Sequence, residues 1–340
     1  MSFKEYSQFK NIDLRSEKEF LKGTIPRSIN IPILCNEEYQ RVGKQYKSKG
    51  QEAATKLGFA LVNDDLKKER IDLWINHIKE NPGCYIFCYK GGLRSKIAHD
   101  WLKKENIAIE RLQGGYKEYR SYIISQHSET KRYTKSWKVI GGLTGSGKTE
   151  LLNQFDEAID LERIANHRGS AFGKNISEQP TQANFENIIT DKYLNHISPK
   201  IYIEDESRTI GRVALPETWY KKMQSSDLVV LDISTEERVS NISKEYVTEA
   251  LNNFSNSNEL LAQYLSSLEK IKKRLGGELF KNVSSLMINA FKNNKNHEDW
   301  ILKILDRYYD PMYKYKLSTR KKYITHIGDY KSCYDYLKSL

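Results

Sequence analysis

The feature that most narrows the fold is a glycine-rich loop between an apolar run and a helical pattern. Residues 137–140 are mostly apolar and lead directly into residues 142–149, which fit the spacing G-x-x-x-x-G-K-[ST]. Leu151, Leu152 and Phe155 follow at helical intervals. A strand, a phosphate-binding loop and a helix therefore follow one another, and this order requires an α/β sheet at this point of the chain.

The chemistry of this loop assigns a role to each type of residue in it. Glycines let the backbone N–H groups surround two adjacent phosphates, a lysine neutralises their charge, and a hydroxyl can ligate Mg²⁺. The predicted phosphate-binding and diphosphate-binding residues are Gly142, Thr144, Gly145, Ser146, Gly147, Lys148 and Thr149. Thr149 is also the predicted magnesium ligand.

A second apolar run ends in acids. Residues 200–203 read as a strand, and Glu204, Asp205 and Glu206 follow it. Asp205 or Glu204 would support the metal or activate a nucleophile, and Asp205 is added to the predicted phosphate site. The pattern does not decide among the three acids, and a solvated acidic strand end is the alternative. Residues 227–233 read as a further strand of the same sheet.

The segment between these strands is rich in small, polar and amide residues, which would make a poor core and suit a substrate loop. Its predicted members are Asn166, His167, Arg168, Ser170, Gln179 and Gln182. A histidine in such a place is more often structural than chemical, so a structural role for His167 is the alternative.

An earlier stretch delivers a cysteine into another glycine-containing loop. The apolar run 85–87 ends at Cys88, and Gly91, Gly92, Arg94 and Ser95 follow before a helical pattern. Amides at the helix start and the Arg94 charge would favour a thiolate. The catalytic residues predicted here are Cys88, Arg94 and Ser95. A buried structural cysteine is the alternative reading, which fits Cys84 but leaves the glycines and Arg94 unexplained.

Composition limits the class of protein. A chain of 340 residues exceeds one ordinary core, and its four cysteines lack the spacing of a disulfide framework or zinc site. No signal peptide or membrane span is evident, so a cytoplasmic protein without a membrane partner is expected. The net charge of +11 favours an anionic partner such as nucleic acid.

The first 125 residues resemble the rhodanese domain. The resemblance rests on residues 13–15, the run 23–32, the Cys88 loop and the pair Gly114-Gly115, which occur in that family's order. Five residues separate Cys88 from Arg94, where simple rhodaneses usually have four, and this wider loop suggests a substrate larger than a sulfane sulfur.

The predicted fold class is α/β: a rhodanese-like parallel-sheet domain, then a P-loop NTPase-like α/β domain with a helical C-terminal extension. The predicted boundaries are 1–125 for the first domain, 126–136 for a linker, 137–235 for the P-loop domain and 236–340 for the extension. Residues 308–323 interleave tyrosines with lysines and arginine, a composition that suits single-stranded RNA or a solvated basic surface.

Taken together, the motifs closely resemble the bacterial tRNA 2-selenouridine synthases over nearly the whole chain. The strings that carry this resemblance are 88–95, 141–149, 160–162 with 165–170, 179–182, 204–208 with 210–212, and 309–313. They add Arg208 and Arg212 to the predicted substrate loop.

The resemblance implies a tRNA-modifying transferase, acting as both geranyltransferase and selenotransferase. It would convert wobble 2-thiouridine to 2-selenouridine through S-geranyl-2-thiouridine, with geranyl diphosphate and selenophosphate as substrates and Mg²⁺ as a candidate cofactor. tRNA is the expected partner, and no protein partner is evident. Cys88 would either attack selenophosphate or displace the geranylthio group. The alternatives are a P-loop small-molecule kinase or ATPase with a regulatory rhodanese domain, and a plain sulfurtransferase or cysteine phosphatase.

Overall fold

The structure is a computed structural model that describes residues 3–252, 254, 256–293 and 296–340. The predicted domain ranges 1–125 and 236–340 therefore include a few residues that lie outside the described ones. The first part of the chain forms α1 (Phe3–Tyr6), β1 (Ile12–Asp13), α2 (Glu17–Lys22), β2 (Ile29–Asn30), α3 (Asn36–Leu61), α4 (Asp64–Glu80), β3 (Tyr85–Phe87), α5 (Leu93–Lys104), β4 (Glu110–Arg111) and α6 (Gly115–Gln126).

The remainder begins with a 3₁₀ turn (Thr130–Arg132), has π-helical turns at Lys244–Thr248 and Leu305–Tyr309, and has a second 3₁₀ turn at Lys321–Tyr323. Its strands and helices are β5 (Ser136–Gly142), α7 (Lys148–Leu152), β6 (Ala158–Ile159), α8 (Leu161–Ala165), α9 (Gln182–Asn195), β7 (Lys200–Glu204), β8 (Thr209–Ile210), β9 (Val213–Ala214), α10 (Glu217–Gln224), β10 (Asp227–Leu231), α11 (Thr235–Ser243), α12 (Glu249–Leu251), α13 (Ser257–Leu275), α14 (Gly277–Asn293), α15 (Glu298–Ile304), α16 (Asp310–Thr319), β11 (Ile324–Gly328) and α17 (Tyr330–Ser339).

The chain divides into two compact units. The first contains the chain up to Ser128 together with Pro180–Asn195, and the second contains Glu129–Gln179 and His196–Leu340. The predicted range 137–235 runs without a break, whereas α9 inside it packs with the first unit. Asn187 on α9 shows why: it is fully buried, donates to the Thr24 carbonyl at 2.8 Å and accepts from Arg120 at 3.0 Å.

The first unit is built on a four-stranded sheet in the order β2-β1-β3-β4, and all its paired strands are parallel. Its short strands hold buried apolar side chains such as Ile12 and Ile86, which pack with Trp74 and Trp101 from α4 and α5. Parallel strands need a crossover segment between them, and helices supply it here. The carboxyl end of β3 leaves Cys88 at the edge of this sheet.

Helix α3 is an insertion with a kink in its middle. Gly50 has φ +79° and ψ −175°, which are not helical angles, so the helix changes direction there. A positive φ of this size favours glycine because other residues pay a steric cost. The polar segment Asn36–Leu61 is therefore helical on both sides of Gly50.

The second unit is built on a five-stranded parallel sheet in the order β11-β10-β5-β7-β6. Its central strands β5, β7 and β10 are almost wholly buried, as expected for a parallel sheet with helices on its faces. The phosphate-binding loop leaves the carboxyl end of β5, and the acids leave the carboxyl end of β7. The predicted α/β class with two parallel sheets is confirmed.

The end of the chain differs from the helical extension predicted over 236–340. Helices do fill most of that range, but β11 pairs with β10 and completes the sheet. Helix α17 then buries Cys333 and Leu337 against Tyr202 and Val229. The strand was missed because its residues are alternately half-buried and exposed, as suits a sheet edge, and lie next to a basic segment.

The segment predicted as a linker, 126–136, is partly folded into the second unit. Tyr133 is 4% exposed, and its ring centroid lies 5.6 Å from that of Trp137 and 5.5 Å from that of Trp219. Within the described residues, no helix is long and apolar enough to cross a membrane.

Candidate functional site

Cys88 follows β3 directly and is 3% exposed. Its thiol donates to the Ser95 hydroxyl at 3.5 Å, and that hydroxyl donates to the Gly92 carbonyl at 3.1 Å. Helix α5 starts at Leu93, so the thiol lies just before the start of a 12-residue helix, where backbone dipoles favour negative charge. The structure brings together Cys88 and Ser95, two of the three predicted catalytic residues.

The glycines around Cys88 are required by close backbone packing. Gly91 has φ +66°, and a Cβ on it would lie 2.8 Å from the Leu112 carbonyl oxygen. Gly115 has φ +58°, and a Cβ on it would lie 2.2 Å from the Cys88 carbonyl oxygen. The Gly114-Gly115 turn therefore supports the cysteine loop, which joins two motifs that are far apart in the sequence.

Arg94 is held by an acid from α2. Its guanidinium donates to both carboxylate oxygens of Glu19, at 2.6 and 3.0 Å. The guanidinium carbon also lies 4.9 Å from the centroid of the Tyr39 ring. Burial lowers the pKa of Arg94, but Glu19 and, to a smaller degree, Cys88 raise it, so the net pKa is raised. Arg94 is thus a charged group oriented beside the cysteine loop and already paired by Glu19, which the sequence pattern did not reveal.

The phosphate-binding loop has the expected strand-loop-helix geometry. Gly142, Gly145 and Gly147 have φ values of +148°, +83° and +79°. A Cβ on Gly142 would lie 2.5 Å from the Ser146 hydroxyl, so this curvature excludes larger residues. The Ser146 hydroxyl is buried and, among the described atoms, has no hydrogen-bond partner. An open cradle with a spare buried donor suits an anionic phosphate group.

The two side chains at the end of the loop face different partners. The Lys148 ammonium donates to the Gly142 carbonyl at 3.2 Å, so it curls back over the loop. The Thr149 hydroxyl donates to Glu204 at 3.1 Å. Glu204, at the end of β7, is therefore the acid that meets the magnesium-type hydroxyl.

Helix α11 braces the loop from behind. Arg238 donates to the Thr144 carbonyl at 3.0 Å and forms a buried ion pair with Asp310 at 2.7 Å. Asn241 donates to the Gly145 carbonyl at 3.0 Å. These contacts fix the backbone of the cradle through its carbonyl groups.

Three carboxylates gather beside Lys148 and Thr149. One oxygen from each of Glu162, Glu204 and Glu206 lies within 4.8 Å of the other two. Burial, as the larger cause, and the nearby Glu206 together raise the pKa of Glu162 to about 8. Burial also raises the pKa of Glu204, and Glu162 and Glu206 add to that shift. Acids crowded in this way can accept a proton or hold a divalent cation.

Asp205 points elsewhere. Its side chain is fully buried, and one oxygen receives Arg320 at 2.5 Å and Lys316 at 3.0 Å. Its backbone carbonyl accepts the Tyr313 hydroxyl at 3.0 Å. Asp205, predicted at the phosphates, therefore anchors α16 and the residue after it to the end of β7, and Glu204 occupies the place beside the loop.

The predicted substrate loop lies close to these acids. Asn166 adopts φ +49° and donates to the Glu178 carbonyl at 3.1 Å. Gln179 donates to the carbonyls of Ala165 and Ile210 at 2.9 and 3.0 Å and accepts the Arg212 amide at 2.8 Å. Asn166 and Gln179 thus hold the loop and the β8-β9 hairpin together.

The remaining predicted loop residues have separate surroundings. Arg168 pairs with Glu245 at 2.9 Å, and Ser170 shares a 3.0 Å hydrogen bond with Tyr246. Arg208 directly precedes β8 and Arg212 lies in the turn between β8 and β9, and both residues are exposed. Gln182 lies on α9 in the first unit and donates to Glu186 at 2.8 Å.

His167 has a buried ring nitrogen whose role the fold does not explain. Burial lowers its pKa, and its Nδ1 is buried without a partner among the described atoms. A Cβ on Gly211 would lie 2.7 Å from the His167 ring, so the ring packs against the hairpin turn. This neutral, enclosed imidazole can act as a hydrogen-bond acceptor.

The basic, tyrosine-rich segment divides into an inner and an outer part. Lys316 and Arg320 turn inward to Asp205, whereas Lys314, Tyr315, Lys321 and Lys322 are exposed. The inward residues hold the fold, so the predicted RNA-binding role is left to the outward ones.

A small apolar cavity adjoins the phosphate-binding loop. Its volume is about 30 Å³, and its lining includes Thr144, Phe172, Tyr246, Trp300 and Tyr309. Two π-helical turns contribute to that lining. Such turns are frequent at functional sites. This cavity has room for about one water molecule.

Sequence reasoning missed Glu162, Glu19 and Arg320. Glu162 stands two residues after Asp160, and the side chain of Asp160 caps α8 by accepting from Arg163 at 2.7 Å. Glu162 comes close to Glu204 only in the folded chain, so the spacing of residues in the sequence gives no indication of this contact.

Comparison with known proteins identifies both parts of the chain. Residues 135–340 match the family model described as tRNA 2-selenouridine synthase AAA domain, and residues 3–122 match the rhodanese-like domain. The first match covers more than half of the chain.

Curated relatives match over nearly the full length. The tRNA 2-selenouridine synthase of Shewanella denitrificans is 41% identical, with 97% of this chain and 94% of the relative covered. The proteins of that name from Shewanella frigidimarina and Shewanella sp. (strain ANA-3) are 39% and 41% identical, each with 96% of this chain and 93% of the relative covered. The chain belongs to the tRNA 2-selenouridine synthase family.

Proposed function

We propose that the protein converts wobble 2-thiouridine in tRNA to 2-selenouridine through an S-geranylated intermediate. Its substrates would be geranyl diphosphate and selenophosphate. The observation that carries the proposal is that one chain of this family holds both a glycine-framed buried thiol, Cys88, and a phosphate cradle, residues 142–149, backed by carboxylates. Each unit would serve one half of the reaction.

The first half is geranyl transfer at the phosphate-binding loop. The diphosphate would occupy the loop, where backbone N–H groups and Lys148 stabilise its charge. The thiouridine sulfur attacks the first carbon of the geranyl chain, a carbon–sulfur bond forms, and the carbon–oxygen bond breaks. Diphosphate leaves with the electron pair, and the base loses its N3 proton. Stabilising the charge that develops on the leaving group is what lowers the barrier.

Oxygen donors at the loop fit Mg²⁺. Thr149 and Glu204 would hold the ion, and their oxygens are the hard ligands that Mg²⁺ prefers. When bound, the ion would neutralise part of the diphosphate charge. Glu162 and Glu206 lie close enough to Glu204 to orient the waters around the ion.

The apolar cavity lined in part by Thr144 adjoins the loop that would hold the diphosphate. Its aromatic lining suits a geranyl chain, which is larger than the cavity, so Phe172, Tyr246 and Trp300 would have to move apart to admit it.

The second half is selenation at the Cys88 loop. Selenophosphate and water yield hydrogen selenide and phosphate, and the selenium then replaces the geranylthio group at carbon 2 of the base. The carbon–selenium bond forms and the carbon–sulfur bond breaks; one proton of hydrogen selenide returns to N3 of the base and the other leaves with geranylthiol. Cys88 would take part in one of two ways. It would attack the phosphorus of selenophosphate, so that selenide leaves and water then releases phosphate from the cysteine, or it would displace the geranylthio group by bonding to carbon 2, and selenide would then displace the cysteine. The thiol lies before α5 and beside Arg94, a setting that suits an anionic donor.

The test is mass spectrometry of nucleosides from thiolated tRNA incubated with the protein. We expect S-geranyl-2-thiouridine with geranyl diphosphate alone and 2-selenouridine when selenophosphate is added. A protein that turns over ATP without tRNA and makes neither nucleoside would instead be a kinase or ATPase. Release of thiocyanate or phosphate from simple donors, with no modified nucleoside, would indicate a sulfurtransferase or phosphatase.

A further inference from the structure

The first unit contains an apolar cavity of about 380 Å³, which has no role in the chemistry proposed for the Cys88 loop. Apolar side chains from α3 and α5 form most of its lining, among them Val42, Ala54, Phe59, Ile97 and Trp101. Its volume of 380 Å³ falls in the range of ligand pockets, about 300–1,000 Å³. A cavity of this size and polarity indicates an apolar ligand.

The position of the cavity links it to the cysteine loop. Leu93 and Arg94 line it, and they are the fifth and sixth residues after Cys88, at the start of α5. Arg94 is oriented there by Glu19. The cavity therefore adjoins the loop that would carry selenation, and all of its lining residues lie in the first unit.

The opening of the cavity is apolar as well. Tyr46, Phe59 and Leu93 line it and are 57%, 49% and 43% exposed. Exposing such side chains to water costs free energy, which a bound apolar group would recover. The kink at Gly50 lies between Tyr46 and Ala54, so the two halves of α3 contribute different walls.

We propose that this cavity binds the geranyl chain of S-geranyl-2-thiouridine and holds it while the geranylthio group leaves. The inference rests on the proposed function and adds a second site for the same chain. Geranyl diphosphate is a poor candidate for this cavity, because among the described lining residues Arg94 alone is cationic, and Glu19 already pairs with it. The neutral thioether on a base needs no cationic partner and presents an apolar chain alone.

The cavity can be filled from within by one substitution. Gly58 lines it from α3 with ordinary helical backbone angles, and a Cβ there would lie 3.9 Å from Val42. Gly58→Leu would therefore occupy the cavity without strain in the helix, which leucine favours over glycine. Gly43→Leu is the matched control, since Gly43 is on the same helix, does not line the cavity, and has nothing within 4 Å of an added Cβ.

The first measurement is the rate of selenation of tRNA that already carries S-geranyl-2-thiouridine. We expect Gly58→Leu to lower kcat/KM at least tenfold and Gly43→Leu to leave it unchanged. Geranylation of thiolated tRNA by Gly58→Leu should match the wild type. An S-methyl substrate, which has no chain to place, should react equally with all three proteins.

The second measurement is binding of the S-geranyl-2-thiouridine nucleoside, followed by the fluorescence of the protein's tryptophans. The wild type should bind it at least tenfold more tightly than the S-methyl nucleoside, and Gly58→Leu should abolish that preference. Phe59→Gln, at the exposed opening, provides a second variant and should reduce the preference in the same direction. A wild type without chain preference, or a Gly58→Leu protein that retains it, would overturn the inference. A wild type that selenates no S-geranyl tRNA would instead refute the proposed function.

Discussion

At the scale of single residues, three consecutive acids at the end of β7 have separate roles. Glu204 meets Thr149 of the phosphate-binding loop, Asp205 is buried against Arg320 and Lys316, and Glu206 joins Glu204 near Lys148. Asp205 points to the opposite side from Glu204 and Glu206 because side chains alternate along an extended backbone. The three acids therefore have different roles, and the direction of each side chain decides which role it has.

Asp205→Asn should destabilise the second unit. Removing the charge leaves Arg320, with a side chain only 4% exposed, without its buried counter-ion, which typically costs about 3–5 kcal/mol. The measurement is the free energy of unfolding in denaturant. Asp227→Asn is the control, because its pair with Lys138 is half-exposed on the acid side and should contribute under about 1 kcal/mol. Equal losses in the two variants would contradict the anchoring role of Asp205.

The acid cluster predicts a pH-dependent stability. The pKa of Glu162 is raised from 4.5 to about 8 in the folded protein, so the folded state binds this proton more tightly than the unfolded state. The stabilisation from this group is therefore complete below about pH 4.5 and is lost as the pH rises through about 8. Above that pH the ionised cluster would favour a cation.

Glu162→Gln should remove this dependence. In buffer without divalent cations we expect the variant to be more stable than the wild type near pH 8 by about 1–3 kcal/mol, and equal to it near pH 4.5. Thermal unfolding across that range measures the difference. Glu178→Gln, at an exposed position of the same segment, should leave the pH profile unchanged. A Glu162→Gln profile that follows the wild type at every pH would rule out the burial effect.

At the scale of elements, local patterns predicted the strands that carry the chemistry. Residues 85–87, 137–140 and 200–203 are apolar runs that end in polar or glycine-rich loops, and each is a buried strand in the structure. Both loops and their following helices could be read for the same reason: the signal is contained in about ten consecutive residues.

What the sequence did not predict depends on contacts between distant segments. Strand β11 lies at a sheet edge and lacks a buried run, and α9 packs with a unit that its neighbours in sequence do not join. The cavity beside Leu93 is formed by the kink at Gly50 and the packing of α3 on α5. No pattern of residues along the sequence predicts it.

Leu337→Ala tests whether α17 belongs to the core of the P-loop unit. Leu337 is fully buried in the cluster with Tyr202 and Val229, so its truncation should lower the free energy of unfolding by about 2–5 kcal/mol. Leu340→Ala, three residues later and 45% exposed, should change it by less than about 0.5 kcal/mol. Denaturant titration compares the two. A loss below 1 kcal/mol at Leu337 would mean that the terminal helix is dispensable for the sheet.

At the scale of the whole molecule, charge and chemistry agree on an anionic substrate. The chain has a net charge of +11, and several of its cations, including Arg15, Arg238 and Arg320, form buried ion pairs with acids. The excess is therefore carried by exposed lysines and arginines such as Lys321 and Arg212, which are available to phosphates. A tRNA substrate gives these charges a role that two small substrates alone would not.

In the proposed function, the two halves of the reaction belong to different units of one chain. The most direct test is to quantify nucleosides from thiolated tRNA after incubation of the Cys88→Ala protein with geranyl diphosphate and selenophosphate. Cys84→Ala, at the neighbouring buried cysteine, is the control that should retain both products, and Lys148→Ala should lose geranylation. We predict that Cys88→Ala accumulates S-geranyl-2-thiouridine at the wild-type rate and forms no 2-selenouridine. Formation of 2-selenouridine by Cys88→Ala at the wild-type rate would contradict a catalytic role for Cys88 in selenation.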